Sequence, residues 1–270
     1  MGRKVKLWEN VTVIRSPECR GTFSGPNACI MSVDFDPFDN FVMAASGDSA
    51  VNLWNMYNQR LKYKLTGHSG KVLTSKFLTS NRVVSGSYDR SLKVWDLKNG
   101  SCVQNFLVGS SCNDLVIYGN HNMISGHFDG KVRFWDTRSV INENELTLQG
   151  KITSLDISSD GLYVLACSRD DSLSLIDVRQ NETLFNLSAE NFVVGRDWSR
   201  AVLSPDGQYA VAGSNDGALY VWILIFGQVG KVEKILKEHC TTVTACSWQP
   251  QGYQLLSCDQ TQEVIVWGDM

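Results

Sequence analysis

The chain has 270 residues, 43% of them hydrophobic, with 22 Gly and only 5 Pro, a composition that supplies a sizeable core and excludes a disordered chain. The formal charge of −3 gives no basic field for nucleic acid and no polybasic surface for anionic lipid. The first residues are charged rather than apolar, and the longest apolar run, Leu219 to Phe226, is too short to span a bilayer, so neither a signal peptide nor membrane insertion is expected.

In chain order, short runs rich in β-formers alternate with Gly, Asn and Asp turns, and the same unit keeps returning. Its fullest copy is Ser85-Gly-Ser-Tyr-Asp-Arg-Ser-Leu-Lys-Val-Trp-Asp96: a strand, a tight turn and a second strand ending in Trp-Asp. Related copies end at Trp8, Trp54, Trp135, Ile176, Trp222 and Trp267, with steps of 46, 41, 40, 41, 46 and 45 residues from Trp8 onward. A period near forty, with Gly-His ahead (Gly67-His68) and Trp-Asp behind, is the signature of WD40 repeats, each supplying a four-stranded blade. Seven anchors predict an all-β, seven-bladed WD40 β-propeller, forming a single domain over 1–270.

Residues 1–10 align with the third strand of a blade, and nothing ahead of them supplies its first two strands. The first blade is therefore expected to be incomplete, with its inner strands missing and the ring seam unsealed, as the C-terminal part of a longer parent protein begun at an internal methionine. A rival closure is a six-bladed ring in which residues 4–9 pair onto the last blade beside Val264 to Trp267. The second blade takes Ile30 to Phe35 and Phe41 to Ala45; the third, Val72 to Phe77, Arg82 to Ser85 and Leu92 to Trp95. The fourth has Leu115 to Tyr118, Met123 to Ser125 and Val132 to Trp135; the fifth, Ile152 to Ile157, Tyr163 to Cys167 and Leu173 to Ile176. The sixth carries the strand-turn passage Ala201 to Gly207 and then a longer turn over Phe226 to Lys231; the seventh runs from Glu238-His239 to Trp267.

His68, Ser85, Asp89 and Trp95 mimic a hydrolase triad in composition, but in this repeat class they form a structural tetrad that satisfies buried polar groups, so no catalytic residue is expected. Ala44, Ala166 and Ala212 stand at the Ser85 position, Asn27 or Ser110 at the His68 position, and Thr261 at the Asp89 position of the last repeat. Eight cysteines include no Cys-x-x-Cys pair and read as reduced thiols; the four histidines are spread out, so no metal and no cofactor are expected. Gly227-Gln-Val-Gly-Lys231 lacks the Ser or Thr of a phosphate loop, and the sequons at Asn10, Asn181 and Asn186 read as chance matches. What remains is recognition, at turn residues ahead of the tetrad Asp and at residues opening first strands: Tyr88, Phe128, Arg169 and Asn215, with Lys71 and Lys151.

The blocks Leu65-Thr-Gly-His-Ser-Gly-Lys-Val-Leu73, Gly109-Ser-Ser-Cys-Asn-Asp114, Ser125-Gly-His-Phe-Asp129, Gly150-Lys-Ile-Thr153 and Cys167-Ser-Arg-Asp-Asp171 resemble the C-terminal WD40 domain of the autophagy-related sixteen-like proteins nearly end to end. The resemblance implies a cytoplasmic, non-enzymatic scaffold whose absent N-terminal part binds the autophagy conjugation complex. It implies partner proteins that include the vacuolar proton pump and short motifs in membrane-protein tails, and recruitment to autophagosomal or endolysosomal membranes. Lys71 and then Phe128 are the positions that carry over as partner contacts. The alternative is a substrate-recognition propeller of a ubiquitin ligase or another multiprotein complex.

Overall fold

The computed structural model describes residues 2–9, 17–139, 142–225 and 229–268; the sequon at Asn10 and the Gly227-Gln228 pair lie outside them. The described residues form antiparallel strands in seven sheets and no helix, so none is long and apolar enough to cross a membrane.

The first sheet has two strands, β1 (Val5–Glu9) and β2 (Glu18–Phe23). Four-stranded sheets follow, each in sequence order: β3 (Ile30–Phe35), β4 (Phe41–Ser46), β5 (Ala50–Asn55) and β6 (Leu61–Thr66), then β7 (Val72–Thr79), β8 (Arg82–Ser87), β9 (Ser91–Asp96) and β10 (Ser101–Leu107). The fourth sheet holds β11 (Cys112–Tyr118), β12 (Asn122–His127), β13 (Lys131–Asp136) and β14 (Asn142–Thr147). The fifth holds β15 (Ile152–Ile157), β16 (Tyr163–Ser168), β17 (Ser172–Asp177) and β18 (Glu182–Leu187). The sixth holds β19 (Ala201–Leu203), β20 (Tyr209–Gly213), β21 (Ala218–Ile223) and β22 (Val232–Lys237). The last has three strands, β23 (Val243–Trp248), β24 (Gln254–Asp259) and β25 (Val264–Gly268).

The incomplete first blade is thus present as a two-stranded sheet. The rival closure is corrected: Val5 to Glu9 pair with Phe23 to Glu18, and among the described residues β25 borders only β24. β1 lies beside β2 because their side chains complete an apolar cluster, Val5 and Leu7 packing against Phe23, Val42, Ala44 and Trp54.

Two compact units divide the chain, one of 1–11, 15–128 and 133–143, the other of 12–14, 129–132 and 144–270. In the first unit, strand alternation packs Met43, Leu53, Leu65, Phe77, Val83 and Trp95 into one core, and Leu92, Val94, Phe106, Leu115, Met123 and Trp135 into the next. In the second, Phe192, Tyr220 and Trp222 anchor one core, while Val243, Cys246 and Leu255 join Val211, Leu219 and Val221 in another.

Adjacent sheets are also joined by a repeated polar device. Ser32 Oγ accepts the Ser75 amide at 3.2 Å, and the Asp34 carboxylate accepts the Phe77 amide at 3.1 Å and Lys76 Nζ at 2.9 Å. At the same register in the second unit, Ser154 Oγ accepts the Ala201 amide at 3.0 Å and Asp156 accepts the Leu203 amide at 2.7 Å. First strands have an edge that no neighbouring strand pairs, and these Ser and Asp side chains satisfy its amides.

Candidate partner-docking site

The turns that join second to third strands set the surface. The residue after each turn Asp or Thr takes a left-handed conformation: Ser49, Arg90, Gly130, Asp171, Gly217 and Gln262 have φ of 65, 65, 78, 61, 81 and 73°. The residue before that acid or Thr is then presented outward, which is why Tyr88, Arg169 and Asn215 are exposed.

Beneath these turns the buried polar groups close on themselves. Trp95 Nε1–H can only donate, and it donates to Ser85 Oγ at 2.8 Å; Ser85 in turn donates to His68 Nε2 at 2.8 Å. His68 therefore carries its proton on Nδ1, facing Asp89 Oδ2 at 2.8 Å. Burial opposes ionisation of Asp89, but hydrogen bonds from Ser91, His68 and the Ser69 amide outweigh it and hold the carboxyl at about 2. Burial lowers the pKa of His68, partly offset by Asp89. Ser85 Oγ is fully buried and already donates to the ring, so it does not face a substrate.

The other repeats reach the same end by different residues. Where Ala replaces Ser, the indole donates to a loop carbonyl: Trp54 to Ser24 O at 3.0 Å and Trp222 to Ser188 O at 3.3 Å. In the fourth sheet Ser110 does stand at the His68 position, yet the network keeps an imidazole: Trp135 donates to Ser125 Oγ at 2.7 Å, which meets His127 Nε2 at 2.7 Å. His127 Nδ1 then donates to the Ser110 carbonyl at 3.3 Å. In the last sheet Thr261 does stand at the Asp89 position, and the carboxylate comes from Asp259, to which Thr261 Oγ1 donates at 2.8 Å.

His239, Asp259 and Glu263 place ligand atoms within 4.8 Å of one another. Trp267 donates to Ser257 Oγ at 2.8 Å and Ser257 Oγ meets His239 Nε2 at 2.7 Å, while His239 Nδ1 lies 3.6 Å from Asp259 Oδ2, beyond hydrogen-bond distance. Asp259 accepts from Thr241, Thr261 and the Glu263 amide, a lattice of donors suited to a carboxylate rather than to a cation. The buried thiols are equally unsuited to chemistry: burial pushes Cys167 up to about 12 and raises Cys112 and Cys246 well above the ordinary range.

In the first unit three expected recognition residues come together. The Tyr88 amide donates to Lys71 O at 2.9 Å, Ser111 Oγ donates to Tyr88 O at 3.0 Å, and the Phe128 amide donates to Ser111 O at 3.0 Å. The Tyr88 and Phe128 rings meet edge to face with centroids 6.0 Å apart, and Tyr88 is 58% exposed. Lys71 is exposed beside them. In the second unit the Arg169 amide donates to Lys151 O at 2.9 Å. The Arg169 guanidinium bonds the Val194 carbonyl and lies 3.4 Å from Asp197, so it braces the 188–200 loop. Asn215 holds the same loop through its amide to Val193 O at 2.9 Å, and its side-chain oxygen accepts from Thr242 Oγ1 at 2.8 Å. That loop, with exposed Val193 and Trp198, was not singled out among the recognition positions; the lengthened step of 46 residues between Ile176 and Trp222 is its signal.

Repeated Trp-anchored sheets, turn carboxylates and buried indole–hydroxyl–imidazole chains define a protein of the WD40 repeat, β-propeller class. A profile of the WD domain, G-beta repeat family matches residues 17–55, 59–96, 100–136, 142–177, 193–222 and 230–268, and the chain belongs to this family. It is similar to Protein tipD of Dictyostelium discoideum, 38% identical over 97% of this chain and 43% of that protein. It is 37% identical to Autophagic-related protein 16.2 of Caenorhabditis elegans over 98% of this chain and 50% of that protein. Protein Atg16l2 of Homo sapiens is 43% identical over 98% of this chain and 42% of its own length, so the chain spans about half or less of these relatives.

Proposed function

We propose that the chain is a non-enzymatic adaptor module of an autophagy scaffold, cytoplasmic, which docks partner proteins and brings the lipid-conjugation machinery of its parent protein to autophagosomal or endolysosomal membranes. The observation that carries this reading is the likeness, over nearly the whole chain, to proteins whose names place them in autophagy. The internal use of His68, Ser85 and Asp89, which could imitate a triad, supports the non-enzymatic part. In the first unit the docking surface is the Lys71, Tyr88 and Phe128 group, where a rigid aromatic pair stands beside a cation, the composition of an interface anchor. In the second, Lys151, Arg169 and Asn215 contribute, the latter two mainly by holding the 188–200 loop.

The partners proposed are subunits of the vacuolar proton pump and short motifs in membrane-protein tails. Affinity capture with wild type and Lys71→Ala tests this. Loss of pump subunits from the variant supports the reading; capture of ubiquitin-ligase subunits instead supports a substrate-receptor role, and pump capture unchanged by the substitution removes Lys71 from the surface.

A further inference from the structure

The connection between β18 and β19 covers residues 188–200, whereas β10 and β11 are joined by 108–111 alone. Connections that long inside a compact repeat are usually functional, and this one is built to hold its shape. Phe192 sits edge-on to Tyr220 and Trp222 with centroids 5.4 and 5.0 Å away, which pins the loop to the core. The Val194 amide donates to Asp171 Oδ1 at 2.7 Å, and the Arg200 amide to Thr244 O at 3.1 Å. Between these fixed points the loop turns two apolar side chains outward, Val193 at 42% and Trp198 at 40% exposure.

The surroundings of Trp198 select the sign of an occupant. The Val193 carbonyl accepts the Asn215 amide, Thr242 bonds Asn215, and Arg196 reaches Gln260 at 3.5 Å, so segments 188–200, 214–217, 238–242 and 259–263 share one end of the second unit. Together these segments hold six carboxylates against two arginines. Arg196 is engaged with Gln260, and the nearby Arg169 with Val194 and Asp197, so these two cations are tied to neighbouring segments. Glu190, Glu238 and Glu263 are exposed. An exposed indole at an end that carries exposed carboxylates attracts a cationic group onto its face, as its quadrupole and those charges act in the same sense.

We infer that this end of the second unit is a docking site for a cationic, partly apolar peptide segment of a partner protein, with Trp198 receiving a Lys or Arg side chain, Val193 an adjacent apolar one, and Glu190, Glu238 and Glu263 the remaining charge. It rests on the adaptor reading only in requiring a protein partner, and it uses a surface separate from Lys71, Tyr88 and Phe128. The test is fluorescence anisotropy of a labelled peptide of alternating Lys and Leu, with alternating Glu and Leu as control, against wild type, Trp198→Ala, Trp198→Phe and Glu238→Lys variants of matched thermal midpoint. Expected are salt-sensitive binding of the Lys–Leu peptide, about fivefold weaker in Trp198→Ala and in Glu238→Lys, largely restored in Trp198→Phe. No binding, equal binding of the Glu–Leu peptide, or binding indifferent to Trp198→Ala overturns the inference. None of these outcomes bears on capture through Lys71, so the two readings fail separately.

Discussion

At the residue scale, the satisfied indole recurs at five of the repeat anchors. Trp95, Trp135 and Trp267 donate to a serine, and Trp54 and Trp222 to a backbone carbonyl, because a buried N–H left unpaired costs about 1–3 kcal/mol. Asp89 closes the fullest of these networks, so Asp89→Ala is expected to destabilise by about 1–3 kcal/mol, read as a lower denaturant midpoint. The pH dependence follows from the two shifts. His68 and Asp89 are both lowered, so the folded state binds fewer protons than the unfolded chain and stability rises with pH. The His68 contribution is complete above its ordinary 6.5 and is lost as pH falls through the lowered folded value. The Asp89 contribution is complete above 3.8 and is lost as pH falls toward about 2. Midpoints of wild type and Asp89→Asn measured across this range should converge at the acid end; a constant difference would show that the carboxylate charge is not what stabilises the turn.

At the element scale, the Trp anchors and turn acids were legible in the sequence because each lies at a fixed offset in the repeat. His127 and Asp259 were not, since each lies two residues beyond the network serine on its own strand. Period-two alternation puts Ser125 with His127, and Ser257 with Asp259, on one face, so a strand residue can take the part that a loop or turn residue plays in the third sheet. The Ser32–Asp34 and Ser154–Asp156 pairs were missed for the opposite reason: alternating polar residues on a strand read as a solvated face, whereas these satisfy the next sheet's amides. The short first sheet has its own consequence. Val33 and Phe35 are each 48% exposed, while Ser75 and Phe77, at the same register of β7, are 0% and 7% exposed. Phe77→Ala should therefore cost about 3–5 kcal/mol, and Phe35→Ala less than about 1 kcal/mol. Equal losses in paired melts would mean that Phe35 is covered in solution. Gly217 offers a further check, since its φ of 81° and the close His239 carbonyl leave no room for a Cβ; Gly217→Ala should lower the midpoint where Arg90→Gly, at φ 65°, should not.

At the scale of the whole molecule, the fold spends its chemistry on itself and presents rigid turns outward. His68, His127 and His239 are consumed in buried networks with their serines, and burial raises the pKa of the three most buried thiols. The recognition proposed above therefore falls to surface aromatic and charged groups braced from below, foremost exposed Tyr88 and half-buried Phe128. The decisive measurement is quantitative capture of vacuolar proton-pump subunits by wild type, by Tyr88→Ala/Phe128→Ala, and by Phe38→Ala/Tyr57→Ala, which removes two aromatics 69% and 82% exposed on other turns. With thermal midpoints matched, the Tyr88/Phe128 variant is predicted to lose at least about fivefold in capture, while the Phe38/Tyr57 variant stays at the wild-type level. Wild-type capture by the Tyr88/Phe128 variant, or no capture by wild type itself, would contradict the docking role assigned to this surface.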